Sequence, residues 1–214
     1  MATDSKVPFV ANATDDLHCL QAAYSMVRQH FLPQLSIPDK EWDKITGFEK
    51  DKGTWASAAL LWFADQGLHV RHITLFDYQD FVAHGGDYLI REYGKDVGEW
   101  QVKHTNMPVE RKRAERLMKE GTIEKREPTL ADITDALDAG SLCRALVNAC
   151  LLNGRDGYAG HAVIVKGYDK QGVIIHDPGL PPMPDRHIAY DLFEAAWTYP
   201  NKESKELDII GLAQ

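Results

Sequence analysis

The sequence lacks long hydrophobic runs and the motifs of secreted or metal-dependent proteins. No segment reaches the ~18 consecutive apolar residues of a membrane-spanning helix, so we expect no contact with a membrane. The first eight residues lack a basic segment followed by an apolar stretch, and we therefore expect no secretory signal. No HExxH motif occurs either, so we expect no metal and no cofactor.

Cysteine and positive charge are also scarce. The three cysteines among 214 residues form no CxxC pair, which fits a reducing compartment and predicts a cytoplasmic location. With 24 basic against 32 acidic residues the net charge is −8, which argues against nucleic acid as the main partner. A hydrophobic content of 44% is enough for one globular domain with a single core.

Helical patterns precede strand patterns along the chain. Apolar spacing, capping residues and turn residues predict helices at residues 19–30, 39–45, 55–67, 129–140 and 190–197. Alternating or continuous apolar runs predict strands at residues 70–74, 142–151, 162–168, 172–176 and 208–212, with a rigid loop at 178–184. This order predicts an α+β fold, in which an N-terminal helical layer packs on an antiparallel C-terminal sheet.

The segment at about residues 75–127 has a helical pattern that glycines and a proline interrupt. We expect a single domain over residues 1–214, in which this segment forms a helical insertion or lid. Its basic run at residues 109–118 is charged on most faces, which favours a solvated helix surface over a nucleic-acid site in so acidic a chain.

Cys19 is the candidate nucleophile. It follows a polar loop that contains Asp15 and Asp16, and it stands where the first helix begins. The unpaired N–H groups and the dipole of a helix N-terminus favour a thiolate. Cys143 and Cys150 lie in the apolar stretch 142–151, where a thiol is usually an inert core residue.

His161 and Asp177 are the candidate base and its orienting carboxylate. His161 opens one predicted strand, and Asp177 closes the next one, beside Pro178. If the two strands form a hairpin, these residues become cross-strand neighbours with Cβ atoms roughly 4.5–5.5 Å apart. An imidazole held in this way can take the proton of a thiol. A plain turn at Asp177 is the alternative, and His187 is a reserve candidate for the base.

These motifs together resemble the papain-like cysteine peptidases of the double-glycine leader peptidase, or bacteriocin-processing, family, in the stand-alone form without a transporter. The matching segments are residues 16–23 around the cysteine, 160–168 around the histidine and 175–178 around the aspartate. The resemblance implies a papain-like fold and a thiol hydrolase that cleaves a peptide or amide bond. Cys19, His161 and Asp177 would form its catalytic triad and carry an acyl-enzyme.

The residue that binds the oxyanion departs from this pattern. The family usually carries a glutamine six residues before the cysteine, and here that position is Ala13. Asn12 is one residue away and is predicted to supply the oxyanion-hole amide, because the carboxylate of Asp16 has no hydrogen to donate. The departure leaves two alternatives open: an acyl or peptidyl transferase of the same fold, and a papain-like module that binds a peptide without turnover.

Overall fold

The structure is a computed structural model that describes residues 3–213; Met1, Ala2 and Gln214, at the ends of the predicted domain, lie outside the described residues. The helices are α1 (Cys19–Phe31), α2 (Asp39–Thr46), α3 (Ser57–Asp65), α4 (Tyr78–His84), α5 (Gly86–Tyr93), α6 (Lys95–Lys103), α7 (Met107–Lys119), α8 (Leu130–Asp138), α9 (Ala149–Leu152) and α10 (Tyr190–Trp197). The strands are β1 (Thr3–Asp4), β2 (Leu68–Thr74), β3 (Ile123–Lys125), β4 (Leu142–Asn148), β5 (Gly160–Tyr168), β6 (Gly172–Asp177), β7 (Met183–Ala189) and β8 (Glu206–Leu212).

The strands form an eight-stranded sheet in the order β3-β2-β8-β4-β5-β6-β7, with β1 paired to β5. Its neighbours are antiparallel except for the parallel pair β2 and β3. The predicted α+β fold with N-terminal helices on a mostly antiparallel sheet is confirmed.

Helix α1 packs its apolar side on the strand that carries His161. Leu20, Ala23 and Val27 of α1 belong to one buried cluster with Ala162 and Ile164 of β5. Burial of each large apolar side chain contributes about 1.5–3 kcal/mol. This packing fixes the first residue of α1, which is Cys19, against the beginning of β5. Helices α8 and α10 cover the opposite face of the sheet.

Helices α4–α7 follow β2 and lead into β3. Five residues of these helices belong to a separate buried cluster: Tyr78, Phe81, Tyr88, Leu89 and Ala114. The four helices fill the segment predicted as an insertion or lid, and its role as a lid stays a prediction. Within residues 3–213, no helix is long and apolar enough to cross a membrane.

Two local predictions were wrong. The strand predicted at 142–151 ends at Asn148, whose side chain accepts a hydrogen bond from Cys150 N (3.0 Å) and caps α9. Cys150 therefore lies in a helical turn. The predicted loop at 178–184 instead runs into β7, an edge strand that tolerates Pro184 because one side of an edge strand needs no partner.

Candidate active site

His161 and Asp177 are in contact, as the sequence predicts. Nε2 of His161 lies 2.7 Å from Oδ1 of Asp177, and the two residues are only 7% and 3% exposed. Their pairing in the sheet differs from the prediction. Ile164 lies opposite His176, so Asp177 is diagonal to His161 and not directly across from it. Diagonal neighbours on one face of a sheet are still within reach of a long side chain.

A β-bulge in β5 decides which face Asp177 occupies. The pairs Tyr168–Val173 and Gly167–Ile174 follow one register, and the pairing shifts by one residue before Val165. Without the shift, Asp177 would fall on the face opposite to His161, because a slip of one residue exchanges the two faces. The bulge therefore brings the imidazole and the carboxylate together.

The carboxylate of Asp177 accepts two further hydrogen bonds. The N–H of Gly179 donates to Oδ1 (3.0 Å), and Nη1 of Arg186 donates to Oδ2 (2.8 Å). Burial alone would raise the pKa of Asp177, but His161, Gly179 and Arg186 together hold that pKa below its ordinary value. Asp177 is thus kept as a carboxylate. Sequence reasoning missed Arg186 because it placed no strand there.

The thiol of Cys19 lies beside His161. Burial would raise the pKa of Cys19, yet the hydrogen bond and the charge of His161 lower it below the ordinary thiol value. Burial would lower the pKa of His161, but Asp177 and Cys19 raise it to about 9. Because Nε2 of His161 binds Asp177, Nδ1 is the ring nitrogen left for the thiol. The lowered pKa of Cys19 and the raised pKa of His161 favour a thiolate–imidazolium pair.

The other two cysteines have different surroundings. Cys143 is completely buried, and burial raises the pKa of its thiol. Cys150 is half-buried in α9, and all three thiols are free. Among residues 3–213, no group of three or more histidine, cysteine, aspartate or glutamate side chains is arranged to hold a metal ion.

Asn12 organises the loop that leads to Cys19. Its Nδ2 donates to Oδ1 of Asp16 (2.8 Å), and its Oδ1 accepts from the N–H of His18 (2.9 Å). Its backbone N–H donates to the carbonyl of Pro178 (2.8 Å), which ties the loop to the turn after Asp177. One N–H of the amide remains for another acceptor. The oxyanion role of Asn12 stays a prediction.

Asp16 lies at the open space beside the thiol. Its backbone has a φ of 61°, a left-handed conformation that aspartate tolerates better than most residues. Asp16 and Cys19 both line a cavity of about 770 Å³. The cavity extends from Cys19 over the sheet, and the helices α4, α5 and α6 contribute one of its walls.

A buried charged cluster lies under this cavity. Asp208 accepts hydrogen bonds from Tyr24 and from Nε of Arg144 (2.6 Å), and it also contacts Nδ1 of His72. The hydroxyl of Tyr78 lies 3.0 Å from the other ring nitrogen of His72. The three groups that contact Asp208 are 64 or more residues away from it in the sequence, so no local pattern could have revealed the cluster.

No family model matches the sequence, and no curated protein matches it. A crystal structure of a double glycine motif protease from an AMS/PCAT transporter, in complex with the leader peptide, matches 100% of this chain and 99% of its own, with 14% identity and a TM-score of 0.51. The chain has the fold of the double-glycine peptidases. The peptidase domain of Streptococcus ComA, a bi-functional ABC transporter involved in a quorum sensing pathway, matches 96% of this chain and 98% of its own, with 12% identity and a TM-score of 0.50. This double-glycine peptidase fold agrees with the papain-like fold that the sequence motifs imply.

Proposed function

We propose that this protein is a thiol hydrolase that cleaves a peptide or amide bond through Cys19, His161 and Asp177. The observation that carries the proposal is the position of His161 between a carboxylate at 2.7 Å and a thiol whose pKa it lowers. An oriented imidazole beside a thiol of lowered pKa is the arrangement that nucleophilic catalysis by cysteine requires.

Each group has a defined task in this reaction. The thiolate of Cys19 attacks the carbonyl carbon, and the electron pair of the C=O bond moves to the oxygen. The imidazolium of His161 gives its proton to the leaving nitrogen as the C–N bond breaks, which leaves an acyl group on the sulfur. His161 then takes a proton from water, the hydroxide attacks the acyl carbon, and the C–S bond breaks, which releases the acid and restores the thiolate–imidazolium pair. Asp177 holds the ring in position throughout.

A peptide is the substrate class that we propose. One protein with this fold was crystallised with a leader peptide, which supports a peptide substrate here. The cavity next to Cys19 is about 770 Å³, which lies in the range of small-ligand sites and can take a few side chains of an extended peptide. We also propose a reducing, cytoplasmic compartment, where the free thiol of Cys19 stays reduced.

Limited alkylation tests the nucleophile. Iodoacetamide at a low ratio, followed by peptide mapping, should modify Cys19 before Cys143 and Cys150. A mixture of peptides from a digested proteome then tests the activity: new termini measured by mass spectrometry should appear with the unaltered protein and not with Cys19→Ala. Cys150→Ala is the matched control and should cleave normally. Preferential alkylation of Cys150, or cleavage by Cys19→Ala, would contradict the proposal.

Acyl or peptidyl transfer is a second candidate, because Ala13 stands where the family's glutamine would be and the amide of Asn12 is bound to Asp16. Transfer and hydrolysis share the acyl-enzyme and differ in the nucleophile that releases it. The products separate them: peptides joined to a second amine, found by mass spectrometry in place of free acids, favour transfer. A Cys19 that reacts with iodoacetamide but turns over no peptide favours the binding module.

A further inference from the structure

The cavity beside Cys19 has aromatic walls and an excess of negative charge. Its aromatic lining includes Trp55, Tyr93, Trp100 and Tyr158. Five carboxylates line it against two cationic side chains, a formal excess of three negative charges; these residues are Asp16, Glu49, Asp51, Glu203 and Glu206 against Lys52 and Arg144. Aromatic faces and carboxylates both attract organic cations.

Glu206 is one of the carboxylates that line this cavity. It begins β8, its side chain is 27% exposed, and Oε1 accepts a hydrogen bond from Nη1 of Arg144. Burial raises the pKa of Tyr93 and of Tyr158, and the charge of Glu206 raises both pKa values further. The two phenol rings are therefore close enough to feel the Glu206 carboxylate.

The positive charge of Arg144 does not cancel the attraction of this cavity for cations. Its guanidinium is paired with Asp208 as well as with Glu206, so two carboxylates face one cation. Lys52 is only half-buried, and its Nζ donates to the carbonyl of Lys103 (2.7 Å) in an exposed hydrogen bond. An anionic ligand would meet the excess negative charge of the lining.

We propose that this cavity binds a positively charged side chain of the substrate, a lysine or an arginine close to the bond that Cys19 attacks. The inference rests on the proposed function for its location, since the cavity is contiguous with Cys19. The cation would lie among the aromatic rings with its charge toward Glu206. A neutral side chain of the same length would keep the apolar contacts and lose the electrostatic attraction.

Binding can be measured without any turnover. The probes are short alanine-based peptides with a neutral fluorophore, in which each position in turn carries lysine or its uncharged counterpart norleucine. Fluorescence anisotropy measures their binding to the full-length Cys19→Ala variant. At one position or more we expect lysine to bind about tenfold more tightly than norleucine, and added salt to reduce the difference. Equal affinities at every position, or tighter binding of a glutamate peptide, would overturn the proposal.

Two variants locate the effect. Glu206→Gln should abolish the lysine preference, whereas Glu203→Gln, a matched change in the same cavity lining, should retain most of it. Because Glu206 is also a partner of Arg144, circular dichroism must show that Glu206→Gln is folded. If it is not, Tyr158→Leu replaces it and should reduce the preference without changing any charge. If Glu206→Gln is folded and still prefers lysine, the proposal is overturned. If Tyr158→Leu has to be used instead, an undiminished preference for lysine in that variant overturns it.

Failure of this proposal is distinguishable from failure of the proposed function. Cation binding is read from the Cys19→Ala protein and needs no nucleophile, whereas the function is read from alkylation and cleavage by the unaltered chain. Selective alkylation of Cys19 without a lysine preference refutes only the cation pocket. A lysine preference without reaction at Cys19 refutes only the hydrolase.

Discussion

Arg186 donates from Nη1 to Oδ2 of Asp177 at 2.8 Å, on the side of the carboxylate that His161 leaves free. Its Nη2 donates to the carbonyl of Leu152 (2.5 Å), and Nη1 also lies 3.1 Å from Oδ1 of Asn153. The guanidinium thus connects the edge strand β7 with α9 and with Asp177. The orientation of Asp177, and through it that of His161, depends on this connection.

Replacement of Arg186 by methionine should weaken the hold on Asp177. We expect kcat to fall by roughly tenfold with little change in KM, since a loss of this size needs only about 1.4 kcal/mol in the transition state. The pKa of Asp177 should rise because one of the groups that lower it is gone. Steady-state kinetics over a pH series measure both effects.

Arg186→Lys should restore part of the activity, because it restores the positive charge without the paired hydrogen bonds. Arg91→Met is the matched control: Arg91 is exposed and pairs with Asp80, outside the site, so its kinetics should be unchanged. Normal kcat and an unchanged pH profile in Arg186→Met would show that Arg186 does not position Asp177.

The activity should have a basic limit set by His161. Burial would lower the pKa of His161, but its bonds to Asp177 and Cys19 raise it to about 9. The thiolate–imidazolium pair therefore persists until the pH rises through about 9, and kcat/KM should fall there as the imidazolium loses its proton. On the acid side, activity is lost below the lowered pKa of Cys19.

The raised pKa of His161 also affects the free energy of unfolding. A histidine whose pKa is raised by folding adds stability that is complete below its unfolded pKa of ~6.5 and disappears as the pH rises through the folded value. Urea unfolding at several pH values should show this loss, and Asp177→Asn should move the basic limit of the activity to lower pH. A basic limit near the ordinary histidine pKa would contradict the assignment.

Asn12→Ala tests the side-chain oxyanion donor. If the remaining N–H of Asn12 reaches the oxyanion, its removal should lower kcat by roughly 10²-fold, the usual effect of one such donor. Gln34→Ala removes an exposed amide in the loop between α1 and α2, outside the site, and serves as the control. Since Asn12 also binds Asp16 and His18, a Tm measurement must show that the variant is folded. Full turnover in folded Asn12→Ala would exclude the role.

The buried cluster under the cavity should dominate stability. Arg144 is 1% exposed and Asp208 is completely buried, so Arg144→Met leaves a buried carboxylate without its cationic partner. We expect a loss of about 3–5 kcal/mol in the free energy of unfolding, measured with urea. Arg71→Met removes the partly exposed pair with Glu124 and should cost about 1 kcal/mol or less. Similar losses in the two variants would contradict this view.

Local signals predicted most of the helices and several strands. Helix α10 has the predicted bounds, and α8 begins with the expected capping box, in which Thr129 and Asp132 exchange hydrogen bonds. Such signals depend on residues within one or two turns of each other, so they can be read along the chain. Strand β7 gave no clear signal, because an edge strand with one solvated side and a proline resembles a loop.

The sequence by itself determined the α+β order, the thiol at the start of α1 and the histidine and aspartate on successive strands. Only the tertiary structure decided that Asp177 shares a face with His161, because the bulge in β5 shifts the register by one residue. It also decided that Arg186 reaches Asp177 and that helices α4–α6 complete a cavity beside Cys19. These contacts join residues distant in sequence, and their geometry depends on how whole elements pack.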